Sequence, residues 1–411
     1  MAPRPLHLAL NLFYLVERSG GAGTYAQELL RGILAAAPDT RITAFTSNEV
    51  PAEYVARDWG GEVEWVSFPV PVTHGPPGAF VATMGAQWGA IPLLAARRGC
   101  DVVHGLANIT PLFSPRVASV VTVLDLIWVR YPHTMERRAT VGMKLVTPPS
   151  AHLADRTIAI SHAAKADLVQ TIGLDPGRVD VTHLGVDPAP AAASAFTDGA
   201  TLRARLGIAP DVPVVLCVAQ KREHKNLLGL VRAMARVAAT GAVLVLPGAS
   251  TPHEDELRAE ADALGLGDRL VLPSWLTAED LEGLYRLASC FVLPSFEEGF
   301  GLPVLEAMAR DVAVATSNCS SLPEVAGDAA LLFDPHDPGD IARCVDALLG
   351  DAALRERCVE RGRLRVAAFP WRATAEATLE VYERAIADRD HGRHYLARSR
   401  RAYRGVRDIW A

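Results

Sequence analysis

The sequence predicts an α/β protein made of two Rossmann-like domains, each built on a parallel sheet, with a helical segment at its C-terminus. First, 411 residues exceed the size that one hydrophobic core usually supports. Second, short β-branched runs alternate with longer helical patterns in both halves. Third, runs such as 214–218 and 243–246 are apolar throughout, which is typical of strands covered by helices on both faces.

Strands are predicted at regular intervals along both halves. They are Leu6–Leu15, Arg41–Ser47, Val63–Phe68, Asp101–Gly105, Ser119–Leu126, Arg156–Ser161, Arg178–Leu184, Pro213–Ala219, Ala242–Pro247, Arg269–Pro273, Cys290–Pro294, Val312–Ser317 and Ala330–Phe333. A run rich in Ala and Pro, Asp187–Ala200, lacks periodicity and is interpreted as the interdomain linker. The predicted domains are therefore 1–190, 191–370 and 371–411, the last being helices that pack back on the first domain.

The C-terminal segment ends in a basic stretch, Arg393–Arg407. One interpretation is a solvated helix face, because runs of like charge are usually exposed. The alternative is a surface that binds anionic phospholipid or the phosphate of an acceptor.

Composition excludes several classes of protein. The net charge of −6, from 41 basic and 47 acidic residues, argues against a nucleic-acid binder, whose binding face is basic. Six cysteines without close pairs indicate neither a zinc site nor a disulfide framework, so buried, reduced thiols in the cytoplasm are expected. Ala79–Ala96 carries no charge, but Gly85, Gln87, Gly89 and Pro92 interrupt it, and a buried helix pair is predicted there.

A glycine-rich loop, Ser19–Gly23, follows the first predicted strand and precedes a predicted helix. Glycines let the backbone approach an anion, and the start of a helix supplies oriented N–H groups. The pattern is not G-x-G-x-x-G, which disfavours a nicotinamide cofactor. A simple turn is the alternative interpretation.

A second loop, Gln220–Asn226, follows the strand at 214–219 and contains Lys221, Arg222, His224 and Lys225. Because ligands in parallel α/β sheets bind at the carboxyl ends of strands, these side chains are expected to stabilise a leaving diphosphate. The alternative is a solvated, charged loop.

A third loop, Ser295–Leu302, lies between the strand Cys290–Pro294 and a helix predicted from Pro303 to Ala309. Proline suits the first position of a helix, and the glycines expose backbone N–H groups at its positive end, where a diphosphate fits. Glu298 lies ahead of the helix and Glu306 one turn inside it. Their spacing would let them accept hydrogen bonds from a sugar and a ribose of one ligand.

The segment Pro294–Ala309, PSFEEGFGLPVLEAMA, resembles the E-x7-E signature of family 4 retaining glycosyltransferases of GT-B fold. The segment Ser321–Ala330 resembles the stretch that comes after this signature in that family, and Lys225-Asn226 matches its Lys-Asn phosphate motif. Three further segments match its N-terminal half: Gly20-Gly21, Ser161–Leu168 and Leu184–Asp187. The resemblance covers residues 6 to 385 or so.

The resemblance implies a role for each matching residue. Glu306 would bind the nucleotide ribose, and Glu298 would contact hydroxyls of the transferred sugar. Lys225 would be the main cation on the diphosphate. The remaining donor contacts would be backbone groups of Gly21, Phe300, Gly301 and Leu302.

Two positions depart from the family pattern. Gln220 stands where an Arg is common, and Arg222 is expected to supply the missing charge. Leu124-Asp125-Leu126 stands where His-Asp-Leu is common, so the usual contact of that His with the sugar is missing. Asp125 remains and is assigned, with Glu298, to catalysis. His104, at the end of the preceding strand, is a candidate sugar contact.

The expected function is a metal-independent, retaining glycosyltransferase without a cofactor. It would move a hexosyl unit from a UDP- or GDP-sugar, held between the domains, to a small-molecule, natural-product or lipid-linked acceptor. Domain 1–190 would bind the acceptor and domain 191–370 the nucleotide-sugar. The alternatives are a pseudo-glycosyltransferase or sugar-nucleotide epimerase, and a non-catalytic sugar-nucleotide-binding partner subunit. Cytoplasmic localisation is expected, with at most peripheral contact at the inner face of the membrane.

Overall fold

The structure, a computed structural model, describes residues 5–17, 20–72, 78–114, 116–189, 196–238, 241–274 and 276–389. The chain forms two compact units, which divide between Gly185 and Val186 and again between Pro370 and Trp371. The sequence-based boundaries were 190 and 370. The basic segment Arg393–Arg407 and the middle of the predicted linker lie outside the described residues.

The first unit is built on a parallel sheet with the order β3-β2-β1-β4-β5-β6-β7 among the described residues. Its strands are β1 (His7–Asn11), β2 (Arg41–Thr46), β3 (Val63–Ser67), β4 (Val102–Gly105), β5 (Ala118–Val123), β6 (Arg156–Ala159) and β7 (Val179–Val181). In register, Leu8 lies opposite Ile42 on one side and Val102 on the other. Successive strands are added on one side of β1 up to β3 and on its other side from β4 onward, so the strand order reverses between β1 and β4.

Helices cover both faces of this sheet. They are α1 (Gly20–Ala36), α2 (Ala52–Ala56), α3 (Ala79–Gly85), α4 (Ile91–Arg97), α5 (Ile127–Arg130), α6 (Arg137–Leu153), α7 (His162–Ile172) and, after the second unit, α16 (Trp371–Asp388). α16 packs on α1, where a Cβ on Gly32 would lie 2.9 Å from the Cβ of Ala375. A Cβ on Gly185 would lie 2.4 Å from the backbone N of Trp371, so both glycines permit this close packing.

The second unit has a parallel sheet with the order β10-β9-β8-β11-β12-β13 among its described residues. Its strands are β8 (Val214–Leu216), β9 (Val243–Val245), β10 (Leu270–Val271), β11 (Cys290–Leu293), β12 (Val314–Ser317) and β13 (Ala330–Phe333). Its helices are α8 (Gly199–Leu206), α9 (Leu227–Met234), α10 (His253–Ala263), α11 (Ala278–Leu287), α12 (Leu302–Met308), α13 (Leu322–Ala326), α14 (Pro338–Gly350) and α15 (Ala352–Ala367). The predicted fold class is confirmed: there are two parallel-sheet α/β units, and a helix follows the second.

The apolar stretch at 79–96 forms one continuous helix rather than the predicted buried pair. α3 and α4 are joined by a π-helical turn, Ala86–Ala90, and Ala79–Arg97 is long and apolar enough to cross a membrane, with a mean hydropathy of 1.4. Only 33% of its most apolar window is buried, and Phe80 and Val81 are 53% and 72% exposed. Length and composition are the only grounds for considering it a span.

His104 on β4 belongs to a buried hydrogen-bond chain in the first unit. Its Nδ1 lies 2.8 Å from Tyr382 Oη on α16, and its Nε2 lies 2.9 Å from Thr122 Oγ1 on β5. Thr122 also bonds Tyr25 on α1 at 2.9 Å. His104 is 0% exposed, so the expectation that it contacts a sugar is wrong: both ring nitrogens join structural elements.

Acid should destabilise the first unit, because burial lowers the pKa of His104 to about 3. The unfolded chain takes up a proton near pH 6.5, whereas the folded chain does not until about pH 3. The contribution of His104 to the free energy of unfolding therefore keeps its full value above pH 6.5. Between pH 6.5 and about pH 3 it declines by up to about 1.4 kcal/mol per pH unit. We expect the unfolding temperature of the wild-type protein to fall more between pH 7.5 and pH 5 than that of the His104→Gln variant. Thermal unfolding followed by tryptophan fluorescence would measure both. Equal falls in both proteins would contradict this role.

Candidate active site

Two strands at the centre of the second sheet mark the site. β8 and β11 are neighbours, and the sheet order reverses between them, with β9 and β10 on one side and β12 and β13 on the other. Ligands of open parallel sheets bind outside the carboxyl ends of the strands at such a reversal. The loop after β8 contains Lys225, and the loop after β11 contains Glu298. The two sequence motifs therefore meet at this reversal.

Lys225 and Glu298 form an ion pair across the gap between these loops. Lys225 Nζ donates to Glu298 Oε1 at 2.7 Å, and Ser295 Oγ donates to the same oxygen at 2.8 Å. The two charged side chains are 15% and 10% exposed, which leaves them mostly buried but within reach of a ligand. A cation and a carboxylate at one point can bind an anionic and a hydroxylated part of the same molecule.

Serines after β12 hold the loop that carries Glu298. Ser320 Oγ accepts from the backbone N of Glu298 at 3.1 Å and donates to its carbonyl at 2.8 Å. Ser321 Oγ donates to the carbonyl of Phe300 at 2.8 Å. Ser320 has φ +56°, a left-handed conformation that places its side chain here. The sequence reasoning missed Ser320 because a Ser-Ser pair in a loop carries no distinctive pattern.

Asn226, the second residue of the Lys-Asn motif, has a structural role. Its φ is +53°, and its Nδ2 donates to the carbonyls of Pro294 at 3.1 Å and Pro335 at 2.7 Å. A Cβ on Gly229 would lie 2.4 Å from Asn226 Oδ1, so this glycine makes room for the amide. Asn226 thus fastens the loop of Lys225 to the loop after β11.

The basic residues near Lys225 do not all converge as predicted. Lys221 is buried, with Nζ donating to Glu254 Oε2 at 3.0 Å and to the carbonyl of Gly248 at 2.8 Å. Burial lowers the pKa of His224 to about 3, so its ring is neutral at physiological pH. Arg222 is half-buried and Gln220 is exposed. The expectation that all four side chains of this loop supply positive charge to a diphosphate is therefore wrong for Lys221 and His224.

Glu306 lies on α12, where its carboxyl accepts a hydrogen bond from a buried tyrosine. Tyr285 Oη donates to Glu306 Oε2 at 2.8 Å. Burial raises the pKa of the Glu306 carboxyl, while the hydrogen bond from Tyr285 and the charge of Arg310 oppose that rise. The residue keeps partial exposure, so a ligand can reach it. Tyr285 was not among the sequence-predicted site residues.

Three residues between the two glutamates, 300–302, are buried. Phe300 is 2% exposed, its ring 5.8 Å from that of Phe369, and Leu302 is 8% exposed. Gly301 has φ +100°, and a Cβ on it would lie 2.6 Å from Leu322 Cδ2. Both neighbouring side chains are buried in the core, so a contact of 300–302 with a ligand would have to be made by the backbone. Their assignment to the diphosphate stays a prediction.

The remaining predicted residues lie in the first unit. Gly21 is exposed near the start of α1, and a Cβ on it would meet nothing within 4 Å. Asp125 is half-buried, and its Oδ1 accepts from the backbone N of Ile127 at 3.1 Å. The backbone N of Leu124 donates to Asn108 Oδ1 at 3.1 Å. Asp125 thus shapes the turn into α5, and its catalytic role stays a prediction.

Comparison with protein families gives two matches, one in each half. Residues 19–190 match the model described as "Glycosyltransferase Family 4", and residues 198–365 match "Glycosyl transferases group 1". Together these matches extend through both parallel-sheet units and include Lys225, Glu298 and Glu306.

Similar proteins of known name are also glycosyltransferases. A D-inositol 3-phosphate glycosyltransferase of Kineococcus radiotolerans is 35% identical over 261 residues, which are 57% of this chain and 58% of that protein. Another, from a Mycobacterium species, is 37% identical over 251 residues, 59% of this chain and 55% of that protein. The matches therefore cover little more than half the length of these relatives.

Among solved structures, a sucrose-phosphate synthase from Thermosynechococcus elongatus shares the fold. It superposes with a TM-score of 0.73 at 24% sequence identity, covering 93% of this chain and 99% of that one. The fold and both family matches indicate the same family as the resemblance of Pro294–Ala309 does. The chain therefore belongs to glycosyltransferase family 4 and has the GT-B fold.

Proposed function

We propose that this protein transfers a hexosyl unit from a UDP- or GDP-sugar to a small-molecule, natural-product or lipid-linked acceptor, with retention of configuration and without a metal. The observation that carries the proposal is the Lys225–Glu298 pair at the reversal point of the second sheet. A donor brings both groups that this pair can serve: a diphosphate for the cation and sugar hydroxyls for the carboxylate. Family membership supports the same reaction class.

The proposed reaction breaks the bond between the anomeric carbon and the diphosphate oxygen. On donor binding, Lys225 turns from Glu298 to the diphosphate, joined by the backbone N–H groups of 300–302. Glu298 then accepts hydrogen bonds from the sugar. The acceptor oxygen forms its new bond on the face that the diphosphate leaves, and its proton passes to the departing phosphate oxygen. Positioned cations and N–H groups stabilise the charge that develops there, the task that a metal performs in other transferases.

Glu306 is the proposed contact for the nucleotide ribose. We expect Glu306→Ala to weaken UDP and GDP binding by about 1.5–3 kcal/mol, because a ribose hydroxyl loses a charge-assisted hydrogen bond. Isothermal titration calorimetry would measure this. Glu256→Ala is a suitable control, since that carboxylate is 64% exposed on α10. Unchanged affinity in a folded Glu306→Ala protein would remove this assignment.

The donor can be found by its effect on stability. A ligand that binds only the folded state raises the unfolding temperature, so a panel of UDP-, GDP-, ADP- and dTDP-sugars should single out the true donor. D-inositol 3-phosphate, named in the relatives, is the first acceptor to test. Retention is then read from the anomeric configuration of the product, and metal independence from activity in the presence of a chelator.

Leu124 favours a second candidate, a pseudo-glycosyltransferase or sugar-nucleotide epimerase. An aliphatic side chain stands where the family commonly has a histidine near the reacting carbon. Product analysis separates the candidates, because a coupled product without a glycosidic bond, or an epimerised nucleotide-sugar, would replace the main proposal. Nucleotide binding without turnover of any donor and acceptor would instead indicate a partner subunit. We propose cytoplasmic localisation with at most peripheral membrane contact.

A further inference from the structure

Tyr285 is a fully buried side chain whose hydroxyl meets the Glu306 carboxylate. It lies on α11 and is 1% exposed. Its ring lies 5.9 Å from that of Phe291 on β11, and the Arg310 guanidinium lies 5.0 Å from its centroid. Burial raises the pKa of Tyr285 well above its usual value, so the phenol remains protonated and donates. The hydroxyl is thus held in one place, against Glu306 Oε2.

Arg310 does not replace Tyr285 as the partner of the Glu306 carboxylate, because the Arg310 guanidinium is paired with a different carboxylate. Its Nε donates to Glu282 Oε2 at 2.5 Å, and its Nη1 donates to the backbone carbonyl of Glu306 at 2.9 Å. Glu282 is only 5% exposed on its side chain and also accepts from Arg286 at 2.9 Å. The positive charge of Arg310 is therefore shared with Glu282, whose own negative charge acts against ionisation of Glu306.

Several other charged groups of the elements packed on α12 have partners elsewhere. On α15, Arg355 donates to the carbonyls of Leu348 and Leu349, Arg363 pairs with Asp311, and Arg365 donates to carbonyls on α13. Glu324 lies on α13, and Cys217 lies just beyond β8, near Tyr285. The groups that act directly on the Glu306 carboxylate are thus Tyr285, Arg310 and Glu282.

We propose that Tyr285 is a positioning residue for nucleotide binding: its hydroxyl donates to the Glu306 carboxylate, favours the charged form of that carboxylate and aims it at the ribose. This inference rests on the proposed role of Glu306. An ionised carboxylate accepts a hydroxyl hydrogen bond about twice as strongly as a neutral acceptor does. Without the phenol, the carboxylate loses a hydrogen bond that favours its charged form, and it becomes protonated at a higher pH.

The test is Tyr285→Phe, with UDP and GDP affinities measured by calorimetry from pH 5 to pH 8. In the wild-type protein, affinity should fall at the acid end as Glu306 takes up a proton. In Tyr285→Phe, the midpoint of that fall should move to higher pH, with affinity about tenfold weaker near the wild-type midpoint. The difference should shrink at pH values above both midpoints, where both carboxylates are ionised.

A matched control is Tyr382→Phe, the same change at a buried tyrosine that bonds His104 in the first unit. It should lower stability without moving the midpoint. An unmoved midpoint in Tyr285→Phe, or an equal shift in Tyr382→Phe, would overturn the positioning role.

Glu306→Gln distinguishes failure of this inference from failure of the proposed function. If Glu306→Gln binds weakly with no pH dependence while Tyr285→Phe behaves as wild type, only the role of Tyr285 is wrong. If Glu306→Gln binds UDP and GDP normally, the ribose assignment itself fails.

Discussion

Replacing Glu298 by Gln is expected to lower turnover about 10²-fold while largely sparing the binding of free UDP or GDP. The amide keeps the size of the side chain but loses the charge that would strengthen hydrogen bonds to the sugar as positive charge develops at its reacting carbon. Removing one preorganised polar contact of this kind commonly costs about 10²–10³ in kcat. Steady-state kinetics with the identified donor would measure the loss, and slow donor hydrolysis offers a second readout.

Glu297→Gln is the matched control for this experiment. Glu297 is the adjacent carboxylate, equally half-buried, and its Oε1 lies 3.2 Å from Ser320 Oγ. It should retain turnover within about threefold. A kcat near the wild-type value in Glu298→Gln would refute the catalytic assignment. Loss of nucleotide binding in a folded Glu298→Gln protein would show that the division of labour between Glu298 and Glu306 is wrong.

Replacing Lys221 by Met should destabilise the second unit by up to about 3–5 kcal/mol, because it removes the buried cation of the mostly buried Glu254 carboxylate and leaves that carboxylate only the exposed Arg258. The Lys221 side chain is 0% exposed and that of Glu254 is 12% exposed. For a unit of this size, that loss corresponds to a decrease of roughly 10 °C in unfolding temperature. Differential scanning calorimetry would measure it.

The same carboxylate supplies the control. Arg258 Nη2 lies 2.7 Å from Glu254 Oε1, but the arginine is 53% exposed. Arg258→Ala should therefore cost less than about 1 kcal/mol. In the double variant Lys221→Met/Glu254→Gln, part of the stability should return, since the carboxylate that lost its buried cation is gone. Equal losses in Lys221→Met and Arg258→Ala would contradict a buried ion pair.

The strands could be predicted from sequence, but their ends could not. β1 was predicted as Leu6–Leu15 and stops at Asn11, yet Leu12, Phe13 and Leu15 remain buried beyond it. β8 was predicted as Pro213–Ala219 and stops at Leu216, with Cys217 still buried. A run of apolar residues indicates that the segment is buried, not that it is paired in a sheet. Beyond the carboxyl end of a strand, the chain stays in the core for several residues without pairing to another strand. The predicted burial of the cysteines is confirmed for five of the six, with Cys319 half-buried.

His104 shows where local pattern loses its predictive value. A histidine at the end of a central strand looks the same in sequence whether it faces a ligand or the core. The partner that decides the matter, Tyr382, lies 278 residues away. Tyr285 and Ser320 were missed for a related reason: their importance comes from the glutamates that they hold, which are 21 and 22 residues distant.

The sequence by itself determined the two parallel-sheet units, the family, and the loops after β8 and β11 as the place of the candidate site, because apolar periodicity and strand-end motifs are local properties. Only the tertiary structure decided which charges lie at that candidate site. Lys221 and Lys225 are four residues apart in one basic loop, yet one is buried against Glu254, 33 residues on, and the other meets Glu298, 73 residues on. A charge acts through its nearest partner and its burial, and both are set by long-range packing.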